Sequence, residues 1–391
     1  MAARPAHTAL ILGGGVGGIV VANELRKRAK ANDRILLVER NPVHVFAPSF
    51  LWVAVGTRRP DRVARPLREL LRPGVELALG SVTSLDPANL RATIDGRGIT
   101  ADSVVIALGA ELSPESVPGL AEAGHNFYTL AGATALRDAL ARFSGGKVIV
   151  LTARPGYKCP AAPYEQAMLI GHALKKRGLH EKFAVEIHAA EPAPMPVAGP
   201  AISEALRSML GAKNIAYFPN RQVRTVDAAS RTIAFSDGTS TSYDLLAFVP
   251  PHHPPAVVAD AGFGGESGWI PADRATLQTR FANVYAVGDV AALSLENGKP
   301  LPKAGVFANA EARIVAENIA AQWSSSAATA RFNGHGACFV ETGGSRAALG
   351  SGDFFAKPAP AITLRAPSVF WHLEKVLLEK RWLHRPPFSF I

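Results

Sequence analysis

Two cysteines stand out among 391 residues: Cys159, in TARPGYKCPAAPYEQAM, and Cys338, in GHGACFVETG. Two are too few for a disulfide framework, and in a reducing compartment an intramolecular pair is more often catalytic than structural. The chemistry open to such a pair is thiol–disulfide exchange, in which one sulfur–sulfur bond opens or closes as two electrons change hands. Lys158 would lower the pKa of the adjacent thiol where the two side chains approach, favouring the reactive thiolate. Taken singly, a cysteine is also a small buried hydrophobe.

Cys159 lies between a strand-like run, GKVIVL, and a helix-like one, which is where a nucleotide-binding fold carries its glycine fingerprint. The apolar fraction of 48% and charged fraction of 19% describe a packed globular chain, and the length favours two domains. The formal net charge of +10 points to an anionic neighbour. No arginine-rich arm or aromatic-basic motif accompanies it, so nucleic acid is not expected and a membrane surface fits better. No stretch has signal-peptide form or the roughly twenty apolar residues that span a bilayer. The expectation is a peripheral protein on the cytoplasmic face.

The first unit reads HTALILGGGVGGIVVANELRKR: a strand, then Gly13, Gly15 and Gly18 in Gly-x-Gly-x-x-Gly, then a helix. RILLVER follows and places Glu39, with Arg40 beside it, about twenty residues after the last glycine, where an acid can bind a ribose hydroxyl. The first glycine permits a tight turn, the second close approach of a pyrophosphate, and the third packing of helix on strand. ADSVVIALGAE ends in a small-residue turn that includes Ala107 and Gly109, and FANVYAVGDVAAL ends in Gly288–Asp289. These two resemble motifs of two-dinucleotide-domain flavoprotein reductases and select FAD over NAD. The alanine-rich helix after Lys303 would aim its positive end at charge developing on the flavin.

The middle of the chain has the outline of a second nucleotide domain: GKVIVL, YEQAMLIGHALKKRG, FAVEIHAAEP and the closing run YDLLAFVPPHHPP. Its fingerprint is missing. ARPGYKCPAAPYE keeps only Gly156, and prolines remove the backbone donors a pyrophosphate needs. Electrons are therefore not expected from NAD(P)H.

With FAPSFLWVAVGTRRP, KCPAAPYE, YDLLAFVPP, VYAVGDV, PKAGVFANAEA and GHGACFVETG, the chain resembles the sulfide:quinone oxidoreductases nearly end to end, with flavocytochrome c sulfide dehydrogenase flavoproteins as cousins. The resemblance implies an α/β fold of two Rossmann-like domains: FAD-binding over 1–113 and 253–330, the fingerprint-less domain over 114–252, and a C-terminal segment over 331–391. It implies that Cys159 and Cys338 meet beside the flavin ring, with Cys338 facing the flavin, Cys159 carrying a persulfide and Glu165 shuttling protons. Gly13, Gly15, Gly18, Glu39, Arg40, Val82, Ala107, Gly109, Gly288, Asp289 and Lys303 are the implied FAD residues. Phe339, Phe370 and Lys303 are the implied quinone residues, and no metal is implied. Many members carry a third cysteine where this chain has Tyr128 at or near the position, so FAD is expected to be noncovalent.

APSVFWHLEKVLLEKRWLHRPPFSF, at 366–390, reads as a helix with two apolar stripes. Val369, Leu373, Val376 and Leu383 are expected to pack on the body. Trp371, Leu378 and Trp382 are expected to enter the headgroup region, flanked by Lys375, Lys380, Arg381 and Arg385. The expected activity is FAD-dependent oxidation of sulfide with electrons passed to membrane quinone. The alternatives are a type-2 NADH:quinone oxidoreductase and a flavin-binding redox sensor without turnover. Self-association is left open.

Overall fold

The computed structural model describes residues 6–263, 265 and 267–384. Apolar runs buried on both faces make two parallel sheets, as expected of strands covered by helices on either side. In the first sheet the strands are β1 (Thr8–Leu12), β2 (Arg34–Glu39), β3 (Val75–Leu79), β4 (Ser103–Ile106) and a later strand, β10 (Val284–Ala286), in the order β10-β4-β1-β2-β3. Helix α1 (Val16–Arg28) follows β1. Leu12 pairs with both Val38 and Ile106, and Ile106 pairs with Ala286, so the carboxyl ends of these strands stand level. Ligands of open α/β sheets bind at that edge.

The second sheet is built from β5 (His125–Asn126), β6 (Gly146–Thr152), β7 (Phe183–Ala189), β8 (Ile215–Phe218) and β9 (Leu245–Val249), in the order β5-β9-β6-β7-β8. Helix α2 (Ala162–Lys176) leaves the turn after β6. The chain then returns to the first sheet through β10 and helix α3 (Gly305–Trp323), which packs along α1. An antiparallel sheet of β11 (His335–Glu341), β12 (Ala347–Asp353) and β13 (Ala361–Ser368) comes next, and helix α4 (Val369–His384) follows directly. Residues 366–368, read as the start of the helix, belong to β13.

Helix α4 meets the stripe expectation only in part: Val376 and Leu383 pack on the body, while Val369, Leu373 and Trp382 lie the other way from the expectation. Trp382 is fully buried and Leu383 nearly so, whereas Val369, Phe370 and Leu373 are about half exposed and Leu377 is exposed. The inward face is polar: His372, Lys375, Glu379 and Trp382, at i, i+3, i+7 and i+10, meet partners on the body. Lys375, expected among headgroups, is buried; Lys380 and Arg381 are exposed; Arg385 lies outside the described residues. Among the described residues no helix is long and apolar enough to cross a membrane.

Candidate active site

The two level strand edges and the C-terminal sheet enclose a cavity of about 320 Å³. Its floor is the glycine turn. A Cβ on Gly13 would lie 2.3 Å from the Ala107 carbonyl oxygen, and one on Gly18 would lie 1.8 Å from that of Gly13, so both positions are closed to any side chain. A Cβ on Gly15 would meet nothing within 4 Å, and Gly15 faces the cavity. Two glycines thus pack the turn and the third keeps it open, which is the cradle a pyrophosphate needs. The residues present fit a dinucleotide, and FAD is the cofactor of this fold.

Gly288 and Asp289 reach the same cavity from the end of β10, and Ala107 and Gly109 from the end of β4. Glu311, buried on α3, accepts the Gly288 N–H at 2.6 Å and fixes this turn. Burial lifts Glu311 from 4.5 to about 7. Lys303 precedes the amino end of α3 and donates to the Asp289 carbonyl at 2.5 Å, with its ammonium 3.6 Å from the Trp269 ring centroid. Burial lowers its pKa to about 8 against the opposing pull of Asp289 and Glu311.

The turn after β6 delivers Cys159. Its N–H donates to the Lys303 carbonyl at 2.7 Å, which stitches the second domain's turn to the first domain's cofactor loop. Cys159 holds φ of 51°, a left-handed conformation costly for a residue with a Cβ and retained only where neighbours impose it. Tyr128 Oη donates to the Cys159 carbonyl at 3.1 Å and so braces the Cys159 turn.

Cys338 comes from β11, and both sulfurs are free thiols on the cavity wall. The surface they expose is cavity surface, and protein surrounds each on its other sides. Burial first, and the negative charge of Glu165 next, push the Cys338 thiol up to about 12 and raise Cys159 as well. A charge on Cys338 raises Cys159 further, which marks the two as electrostatic neighbours.

The expectation for Lys158 is corrected. It lines the cavity, but its charge bears on His252, which burial and then Lys158 push down to about 3. The cation that favours the two thiolates is Lys375.

Glu165 and Phe339 also line the cavity. Other expected residues stand elsewhere. Glu39 accepts from Gly14 N–H at 2.6 Å and from Asn41 N–H at 2.9 Å, beside the turn rather than on the cavity wall. Arg40 is exposed, 3.7 Å from Glu111. Val82 pairs with Ile94 in a small antiparallel sheet. Phe370 is 57% exposed, stacked edge-on against Trp371, and does not reach the cavity. In the second domain the strand edge is occupied by its own side chains: Thr152 Oγ1 donates to the buried Glu191 at 2.7 Å.

Residues 7–312 match the family model described as pyridine nucleotide-disulphide oxidoreductase. The chain belongs to that family. Within it, the chain is similar to the "Sulfide-quinone reductase" of Aquifex aeolicus, 28% identical over 79% of this chain and 75% of the relative. It is also similar to the mitochondrial "Sulfide:quinone oxidoreductase" of Mus musculus, 24% identical over 91% and 80%. The solved Aquifex aeolicus sulfide:quinone oxidoreductase shares the fold, with a TM-score of 0.85 over 98% of this chain and 94% of that one at 24% identity. The "Type II NADH:quinone oxidoreductase Ndh" of Mycobacterium tuberculosis matches only 27% of this chain, at 34% identity.

Sequence reading missed four residues of this family member's site. Trp52 lines the cavity below Lys375, whose ammonium lies 5.2 Å from its ring centroid; Glu341 and His372 pair behind it. A lysine, a glutamate and a histidine in a basic helix and an edge strand give no local signal, because what marks them is burial beside one another.

Proposed function

We propose that this protein oxidises sulfide and hands the electrons to a membrane quinone, with Cys159 and Cys338 as the redox pair. The observation that carries the reading is that thiols from two distant segments share the wall of the cavity opened by the glycine turn. The similarity to sulfide:quinone oxidoreductases over most of the chain supports it.

Gly13, Gly15, Gly18, Glu39, Ala107, Gly109, Asp289 and Lys303 would hold FAD, noncovalently, with Arg40 and Val82 toward its outer end. When bound, FAD supplies a two-electron acceptor that quinone can reoxidise. In the oxidised state of the pair, hydrosulfide attacks the disulfide at the Cys159 sulfur. The bond to Cys338 breaks, leaving a persulfide on Cys159 and a thiolate on Cys338. As an electron pair passes from the Cys338 thiolate to the acceptor, the Cys338–Cys159 bond re-forms, the outer sulfur leaves Cys159 as sulfane sulfur, and Glu165 takes its proton. Lys375 offsets the charge that Glu165 and burial place against the thiolates.

An apolar wall that includes Phe339, Trp52 and Leu378 would take the quinone ring, and Phe370 would meet the membrane outside it. The half-exposed apolar face of α4, with Lys380 and Arg381 alongside, is the membrane contact.

The test is anaerobic: sulfide is added to the purified protein, flavin bleaching is followed, and a soluble quinone is then supplied. Cys159→Ser and Cys338→Ser should each abolish bleaching by sulfide while FAD stays bound. Quinone reduction at the wild-type rate in both variants overturns the mechanism, and rapid bleaching by NADH instead of sulfide overturns the activity.

A further inference from the structure

A series of buried acid–base groups leads away from the cysteines, and the steps above use only its inner end. Lys375 Nζ donates to Glu165 Oε2 at 2.7 Å, and the Glu341 N–H donates to the same oxygen at 2.8 Å. The Glu341 carboxylate holds His372 Nδ1 at 3.0 and 3.1 Å from its two oxygens. Lys375 and Glu341 are 7% and 1% exposed, while the His372 side chain is 19% exposed, so the series runs from the cavity wall to the outside. His372 and Lys375 lie three residues apart on one face of α4. Trp52 closes the flank, edge-on to His372 at 5.8 Å. Arg58, paired with Glu379, also lies over Trp52, 4.5 Å from its ring centroid.

The reaction needs such a series. Hydrosulfide, quinone and one further proton give elemental sulfur and quinol: sulfur loses two electrons, quinol carries two protons, and hydrosulfide brings only one. The second proton comes from solvent and must cross a mostly apolar wall. We propose that His372 and Glu341 are the inlet of a proton path that ends at the Lys375–Glu165 pair, resting on the sulfide:quinone reading above. His372 takes a proton from solvent and gives it to Glu341; Lys375, whose pKa the Glu165 and Glu341 carboxylates raise against the effect of burial, gives up its proton only to a strong base formed in the cavity, and Glu341 then resupplies it. Burial raises the Glu341 pKa, which suits a carboxyl that must hold a proton in transit, and the nearby Lys375 pulls the other way. His372 and Glu341 act through Lys375 and are positioning residues.

The test separates the two half-reactions in the holoenzyme by stopped flow, with sulfide as reductant and a short-chain soluble quinone as oxidant. In His372→Ala and Glu341→Gln, flavin reduction by sulfide is expected at the wild-type rate. Reoxidation by quinone is expected to slow by about a hundredfold, the low end of what a placed proton donor contributes. The solvent deuterium isotope effect on reoxidation should rise, and added imidazole should restore His372→Ala. Redox-difference infrared spectra of the holoprotein should lose one carboxyl band in Glu341→Gln. Reoxidation at the wild-type rate with an unchanged isotope effect overturns the path. Slowing of both half-reactions without imidazole rescue also overturns it, since that is the mark of packing alone. Absence of flavin bleaching by sulfide in the wild type overturns the underlying reading instead.

Discussion

Lys375 Nζ sits 2.7 Å from Glu165 Oε2, both side chains buried, one on the last helix and one on the helix that follows the Cys159 turn. A buried pair of this kind is costly to break, because the survivor keeps its charge without a partner. Lys375→Met is expected to destabilise the holoprotein by about 3–5 kcal/mol, and Glu165→Gln/Lys375→Met together by clearly less than the sum of the single changes. Denaturant titration of the three variants checks this.

The glycine turn separates packing from binding. Gly18→Ala drives a methyl into the Gly13 carbonyl and should prevent a folded first domain. Gly15→Ala meets no protein atom and should leave the folded structure intact while lowering FAD occupancy. Circular dichroism together with the flavin-to-protein absorbance ratio distinguishes the two.

Glu311 gives a pH dependence of known sign. Its carboxyl moves from 4.5 unfolded to about 7 folded, so the folded state binds the proton more tightly. The contribution to stability is complete below about pH 4.5 and is lost as pH rises through about 7, amounting to about 3 kcal/mol. Glu311→Gln should flatten that part of the stability profile, measured by denaturation between pH 4 and 8 in steps of about one unit.

Thiol reactivity carries a second sign. Because burial and Glu165 disfavour the thiolate, alkylation of Cys338 by iodoacetamide should be slow at pH 8, about an ordinary thiol's midpoint, and keep rising well above it. Glu165→Gln should shift the profile to lower pH, and Lys375→Met to higher.

The outward face of α4 gives the membrane prediction. Phe370→Glu/Leu373→Glu should abolish co-flotation with anionic vesicles and leave thermal stability unchanged, since both side chains are 57% exposed.

The parts legible in the sequence are those with local causes. Strand, glycine turn and helix occupy one continuous stretch, as do the strand and Gly288–Asp289, so these elements could be read directly. The loss of every fingerprint glycine but Gly156 at residues 153–158 was equally local. Helix α4 was read with Trp382 outward and Val369 and Leu373 inward because periodicity reveals stripes without saying what each will meet. Its inward stripe is polar, and the partners of that stripe, Ser49, Arg58, Glu165 and Glu341, come from three remote segments. Both cysteines could be named, yet the Cys159 turn is held at the cavity that Cys338 also lines by the bond from Cys159 N–H to the Lys303 carbonyl, which no local pattern announces.

Trp382 Nε1 donates to His44 Nε2 at 2.9 Å, and His44, held neutral by burial, uses Nδ1 to donate to the Gly14 carbonyl at 3.1 Å. The last helix therefore buttresses the first loop. On the ribosome, the amino-terminal cradle waits for Trp382 to be synthesised before this brace arrives. Cofactor capture then becomes a late event in biogenesis, and nascent chains stalled before Trp382 should hold flavin poorly however well their first sheet has formed.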